Sequence, residues 1–179
     1  LIERMQGAFT TIAKSKIPTI ALAHGFCIGG ATSLVSACDI RLATKDAKFS
    51  IGETKLGLVA DVGVIQRMPN IVSSGDMNEL ALTGRIFDGQ HAEKIRFVSK
   101  AYDNSDDLFD AGEKLANEIA SNSTRIVQAT KQALEKSSNL TIDQGLEYAK
   151  LWSTSFLVSE DLREGVMAFL EKREPKFKI

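Results

Sequence analysis

"IPTIALAHGFCIGGATSLVSACDIRLAT", residues 17–44, is the stretch that decides how this chain is read. After Pro18, "TIALA" is a short apolar run of the kind that forms a buried strand. Small residues then crowd the turn: Gly25, Gly29, Gly30, Ala31, Thr32 and Ser33. The pattern from Gly30 to about Cys38 predicts a helix, and "DIRLAT" predicts a second strand. A strand that stops at glycines and opens a helix leaves backbone N–H groups free at the helix start. Small side chains let another group approach them. That group could be a phosphate, a packed neighbouring helix, or the charged oxygen of a reacting substrate. "GFCIGG" fits neither GxGxxG nor GxxxxGK[ST], and no lysine follows Gly30 in the helix, so the phosphate loop is a poor match. Close strand–helix packing would account for the glycines without any chemistry. N–H groups aimed at an oxyanion fit the pattern better.

The bulk properties narrow the function classes. The chain has 179 residues, 44% hydrophobic and 25% charged, with a formal net charge of −1. This is the composition of an ordinary globular domain. No segment is strongly basic, which argues against nucleic acid as a partner. No apolar run approaches the roughly 20 residues that cross a bilayer, so no membrane partner is expected. Cys27 and Cys38 form no CxxC pair. A disulfide framework or zinc site is not expected, and a reducing compartment is the simpler expectation. The opening "LIERMQGAFTTIAKSKIP" places Leu1, Ile2, Met5, Phe9 and Ile12 at helical spacing. It reads as a helix that closes an earlier unit, so the chain is expected to be the later part of a longer protein.

Two regions follow from the patterning. In residues 1–104, "AKFSI" predicts a third strand and "GETKLGLVADVG" a loop. "VIQRMPNIV" predicts a short helical turn ended by Pro69. A helix from Ser73 to Leu82 stops at Gly84, a natural C-terminal cap. "DGQHAEKI" starts a short helix at an Asp88 cap, and "RFVSKAY" is a last strand. In residues 105–179 four segments carry apolar residues at three- and four-residue steps, each near a Ser, Thr or Asp cap.

These residues resemble the crotonase, or enoyl-CoA hydratase/isomerase, family. The resemblance rests on a strand followed by "HG", on "GG" opening a helix, and on "CDIR-A---A-F---E--LGL". It continues through "QRMP" to "EGVMAFLEKREPKF" and covers nearly the whole chain. It implies an α/β spiral of ββα units, its N-terminal part missing here, followed by an all-helical region used in trimer or hexamer assembly. It implies an acyl-CoA thioester substrate and no separate cofactor or metal. It also implies that the N–H of Gly30 is one half of an oxyanion hole. The other half comes in the family from an upstream loop that is absent from this sequence.

Family hydratases use two glutamates, because water must be activated and a carbon protonated. The first position is Ser33 here, whose hydroxyl cannot replace a carboxylate base unaided. The second is Glu53. "GATSL" is not GxSxG, so Ser33 with His24 makes no serine hydrolase. A second carboxylate, Asp61, follows eight residues after Glu53. Asp beside glycine is usually a turn residue, but its neighbours Leu58, Val59, Ala60, Val62 and Val64 predict burial. Burial would raise its pKa toward useful proton transfer. "GLVADVG-IQR-P" resembles the dienoyl-CoA isomerase branch of the family. That resemblance implies that Glu53 and Asp61 shuttle protons between C2 and C6 of a 3,5-dienoyl-CoA. The branch carries an aspartate where this chain has Ser33.

Phe169 and Lys172, in "AFLEKR", match positions where family hydratases contact CoA from a neighbouring subunit. Helix packing and a solvated charge are the plainer readings of the two. Arg67, in "IQRMP", resembles a family position, with a structural role as the alternative. His24 and His91 are expected to be structural, and Trp152, Phe156 and Leu157 to serve core or oligomer packing. The reading is a dienoyl-CoA isomerase of fatty-acid oxidation. The alternatives are a Δ3-to-Δ2 enoyl-CoA isomerase or hydratase-like enzyme using Glu53 alone, and a non-catalytic scaffold.

Overall fold

The computed structural model describes residues 1–177. Two three-stranded sheets carry the first part of the chain. One is parallel, in the order β1 (Ile20–Ala23), β3 (Ile40–Thr44), β6 (Lys100–Tyr102). The other holds β2 (Phe26–Ile28), β4 (Lys48–Ser50) and β5 (Phe87–Asp88), with β2 and β4 parallel and β4 and β5 antiparallel. From β1 to β4 successive strands therefore alternate between sheets, β5 stays with β4, and β6 returns to the first sheet. β1 and β2 are followed by helix α2 (Gly30–Ser36), and β3 and β4 by α3 (Val64–Arg67) and α4 (Ser74–Thr83). Between β5 and β6 lies α5 (Gly89–Lys94). This repeating strand–strand–helix order is the α/β architecture expected from the sequence.

Why the layers close is visible in the side chains. Phe49 on β4 stacks on Phe87 of β5 at 5.5 Å and meets Phe97 edge-on at 5.4 Å. Both arrangements are favourable for aromatic quadrupoles. Ala43, Ala47 and Ala92 are wholly buried, so backbones approach closely around that cluster. The tightest approach is at Gly89, where a Cβ would lie 1.9 Å from the Thr44 carbonyl oxygen. Asp88 caps α5 by accepting from the His91 N–H at 2.9 Å, and Gly84 ends α4 at φ +58°.

Three expectations need correction. β2 and β5 were not anticipated, because strands of three and two residues show too little alternation to register. The stretch beginning at Gly52 is not all loop: Gly52–Leu56 forms a 3-10 turn, closed by Gly57 at φ +72°. Pro69 does not end a helical turn but sits inside a second 3-10 turn, Met68–Asn70. Near the start of such a turn its missing N–H costs nothing.

The chain divides into two compact units. The first comprises Leu1–Ser15 and Thr19–Lys114, and the second Lys16–Pro18 with the residues from Leu115 on. The division falls within α6 (Ser105–Ala120), ten residues beyond its start. Helix α1 (Ile2–Ala13) belongs to the first unit and has no fully buried residue. The second unit continues with α7 (Thr124–Ser137), α8 (Ile142–Phe156) and α9 (Glu160–Glu171). Ser123, Thr141 and Ser159 cap these three, and Thr141 with Gln144 forms a full capping box. Trp152 stacks on Phe156 at 5.9 Å, and the Lys131 ammonium donates to the Ile17 carbonyl at 3.1 Å. Among the described residues, no helix is long and apolar enough to cross a membrane.

Candidate active site

The turn from β2 into α2 is built to hold backbone in one place. Gly29 takes φ +57°, a conformation natural to glycine, and its N–H donates to the Ser50 carbonyl at 2.9 Å. The Thr32 hydroxyl reaches back to the carbonyls of Cys27 and Ser50, at 2.5 and 3.0 Å. The Ser50 hydroxyl in turn donates to the Gly84 carbonyl at 3.0 Å. So the ends of β2 and β4, the start of α2 and the end of α4 are tied together by four hydrogen bonds. Gly30 opens α2, and among the described residues its N–H meets no acceptor.

Glu53 comes from the 3-10 turn after β4 and lies against this turn. A Cβ on Gly29 would sit 3.3 Å from Glu53 Oε1. Glu53 Oε2 is removed from solvent and, among the described residues, has no hydrogen-bond partner. A cavity of about 480 Å³ opens beside it, lined by Gly29, Gly30 and Glu53 together with Ile28, Leu56 and Ile86. An unsatisfied buried carboxylate oxygen is costly. Placed beside an unused N–H, it can accept a proton from a substrate whose oxygen the N–H receives.

Asp61 departs from expectation. It is exposed, not buried, and does not line that cavity. The reason is alternation: Ala60, Val62 and Val64 turn inward, so Asp61, like Val59, turns outward. Leu58 is exposed as well. A run of apolar neighbours thus gave the wrong face. The loop itself is fixed. Gly63 stands at φ +115°, where a Cβ would collide with the Arg67 guanidinium. That guanidinium donates to the Val62 carbonyl and to the Thr10 hydroxyl, at 3.4 and 3.2 Å. The Gln6 amide donates to the Asp61 carbonyl at 2.6 Å. Arg67 thus ties the loop to helix α1, which fits the structural alternative.

Ser33 is fully buried, and its hydroxyl, among the described residues, has no partner. Phe169 and Lys172 belong to the second unit. Phe169 is 82% exposed, so helix packing does not account for it, and Lys172 is the left-handed cap of α9 at φ +54°. The structure therefore brings together Gly30 and Glu53, but not Asp61, in one cavity. Sequence reasoning missed Thr32, Ser50 and Gln6, whose parts are local hydrogen bonds with no pattern of their own.

Comparison with known proteins shows the family and the fold. Residues 2–179 match the family model described as "Enoyl-CoA hydratase/isomerase". A mitochondrial Delta(3,5)-Delta(2,4)-dienoyl-CoA isomerase of Dictyostelium discoideum is 49% identical over 99% of this chain and 61% of its own length. The peroxisomal counterpart of Arabidopsis thaliana is 42% identical over 98% of this chain and 63% of its length. The chain thus spans about three-fifths of these curated relatives. Among solved structures, a putative enoyl-CoA hydratase/isomerase family protein of Hyphomonas neptunium superposes with TM-score 0.90 at 34% identity, covering 98% of this chain and 66% of its own. An enoyl-CoA hydratase of Bacillus anthracis gives TM-score 0.93 at 29% identity, covering 99% and 68%. With the Glu53 carboxylate set against the Gly29–Gly30 turn in a strand–strand–helix scaffold, the chain belongs to the enoyl-CoA hydratase/isomerase family.

Proposed function

We propose that the protein containing this chain isomerises 3,5-dienoyl-CoA to 2,4-dienoyl-CoA in fatty-acid oxidation. A carboxylate removes a proton from C2, the freed C–H electrons form a C1=C2 bond, and the carbonyl pair moves onto the thioester oxygen. The Gly30 N–H receives that oxygen's charge. A proton is then delivered to C6, that charge returns through the conjugated chain, and the double bonds settle at C2 and C4. Glu53 and Asp61 are the two proton carriers, without assignment to a carbon. CoA enters as part of the substrate, with no separate cofactor. The reading is carried by the orphaned Glu53 oxygen beside Gly30, in a chain 49% identical to a relative named for this reaction.

A second reading has its own support. Asp61 is exposed and Ser33 stands where the dienoyl branch carries an acid. Both favour a Δ3-to-Δ2 enoyl-CoA isomerase using Glu53 alone. Ultraviolet absorbance of the conjugated product, measured on the full-length protein, separates the readings. The first expects turnover of a 3,5-dienoyl-CoA that falls at least a hundredfold in Glu53→Gln and in Asp61→Asn, the scale of a lost general acid or base. If Asp61→Asn matches the parent and 3-enoyl-CoA is converted, the single-glutamate reading replaces it. Conversion of neither substrate leaves a non-catalytic scaffold.

Assembly as a trimer or hexamer belongs to the same proposal. Leu151, Leu157, Val158, Phe169 and Leu170 leave much apolar surface exposed in the helical unit, more than isolated surface residues explain. In such an assembly Phe169 and Lys172 would reach CoA bound to a neighbouring copy. Cys27 and Cys38 form no disulfide among the described residues, which suits a reducing compartment, and the relatives carry mitochondrial or peroxisomal names.

A further inference from the structure

Helix α1 reaches both the turn at Gly30 and the loop at Asp61 although none of its residues is fully buried. Met5 covers the oxyanion turn: a Cβ on Gly30 would lie 3.5 Å from its methyl carbon. One residue on, Gln6 donates to the Asp61 carbonyl at 2.6 Å. One turn further, Thr10 receives the Arg67 guanidinium that also holds the Val62 carbonyl. Helical spacing puts residues 6 and 10 on one face. That face therefore fastens residues 61 and 62 by consecutive carbonyls, while Met5 sits on the partner turn.

We infer that Gln6 is a positioning residue for the reaction, setting Asp61 through its backbone. The inference rests on the two-carboxylate reading above. Asp61 is exposed, and no packing fixes its side chain; its place depends on where the loop is held. The loop has one hold on each side. Toward Val62 it is Arg67, wedged against Gly63. At Asp61 itself it is the Gln6 amide. A carboxylate that must meet one carbon of a bound chain tolerates little displacement. A misplacement of about 1 Å in a catalytic geometry costs on the order of a hundredfold in rate.

The test uses the full-length protein and a 3,5-dienoyl-CoA. Gln6→Met keeps length and helix propensity and removes the donor. Gln6→Glu keeps shape and faces the Asp61 carbonyl with an acceptor. Both are expected to lower kcat roughly ten- to a hundredfold with KM little changed, and thermal unfolding midpoints near the parent's. Combined with Asp61→Asn, Gln6→Met is expected to add almost nothing, since the group it positions is already gone. A merely structural role would instead give additive losses and a lowered midpoint. The inference is overturned if Gln6→Met has parental kcat, or if its loss multiplies with that of Asp61→Asn. The two-carboxylate reading fails separately, if Asp61→Asn alone is fully active, and takes this inference with it.

Discussion

Thr32 shows how much one hydroxyl can organise. Its side chain is fully buried and its single proton is shared between the carbonyls of Cys27 and Ser50. Thr32→Val keeps the shape and leaves that donor missing from a buried site. The expected loss is about 1–3 kcal/mol of unfolding free energy, read from urea denaturation, whereas Thr32→Ser retains most of it. Equal midpoints for valine and serine would show that the bond contributes nothing. Gly29 is constrained twice, by its positive φ and by Glu53 Oε1 at 3.3 Å from any Cβ. At this scale Glu53 and Gly30, singled out by the motif, line one cavity. The sequence misled at Asp61. Apolar neighbours fix the depth of a segment, but in an extended segment side chains alternate, and the face depends on register. Register is decided by what Ala60 and Val62 pack against, and that is not local information.

Elements were more legible than residues wherever a cap marks them. Asp88, Ser123, Thr141 and Ser159 start helices as their side chains require. Short strands without caps stayed invisible, as β2 and β5 did. The end of α9 adds an electrostatic device. Arg173 grips both oxygens of Glu164 at 2.7 and 3.1 Å and Glu171 at 2.6 Å, while the Lys176 N–H donates to Glu164 at 2.7 Å. The Arg173 hydrogen bonds, then the Lys176 N–H, hold the Glu164 carboxyl down to about 2. The folded value is depressed, so this contribution is complete above the ordinary carboxylate range and is lost as pH falls through about 2. Carbon-detected titration of Glu164 should show that low midpoint, and Arg173→Gln should return it toward ordinary values. A parent midpoint already in the ordinary range would mean the clasp is open in solution.

For the molecule as a whole, the strand–strand–helix repeat was legible through the family resemblance. The order of strands within each sheet was not, since no single run of residues encodes its partner. Leu42 of β3 pairs with Lys100 of β6, and everything from β4 through α5 lies between them. That ordering has a kinetic meaning. As the chain is synthesised, β1 and β3 can pair early, but the far edge of β3 stays open until β6 has emerged. Non-local parallel pairing is slow, and an open edge recruits other chains. Refolding from denaturant should therefore lose yield as protein concentration rises, while the unfolding rate stays independent of it. A yield that ignores concentration would mean the edge of β3 is covered from the outset. The strand that completes the sheet thus sets the interval during which each new copy is at risk from its neighbours.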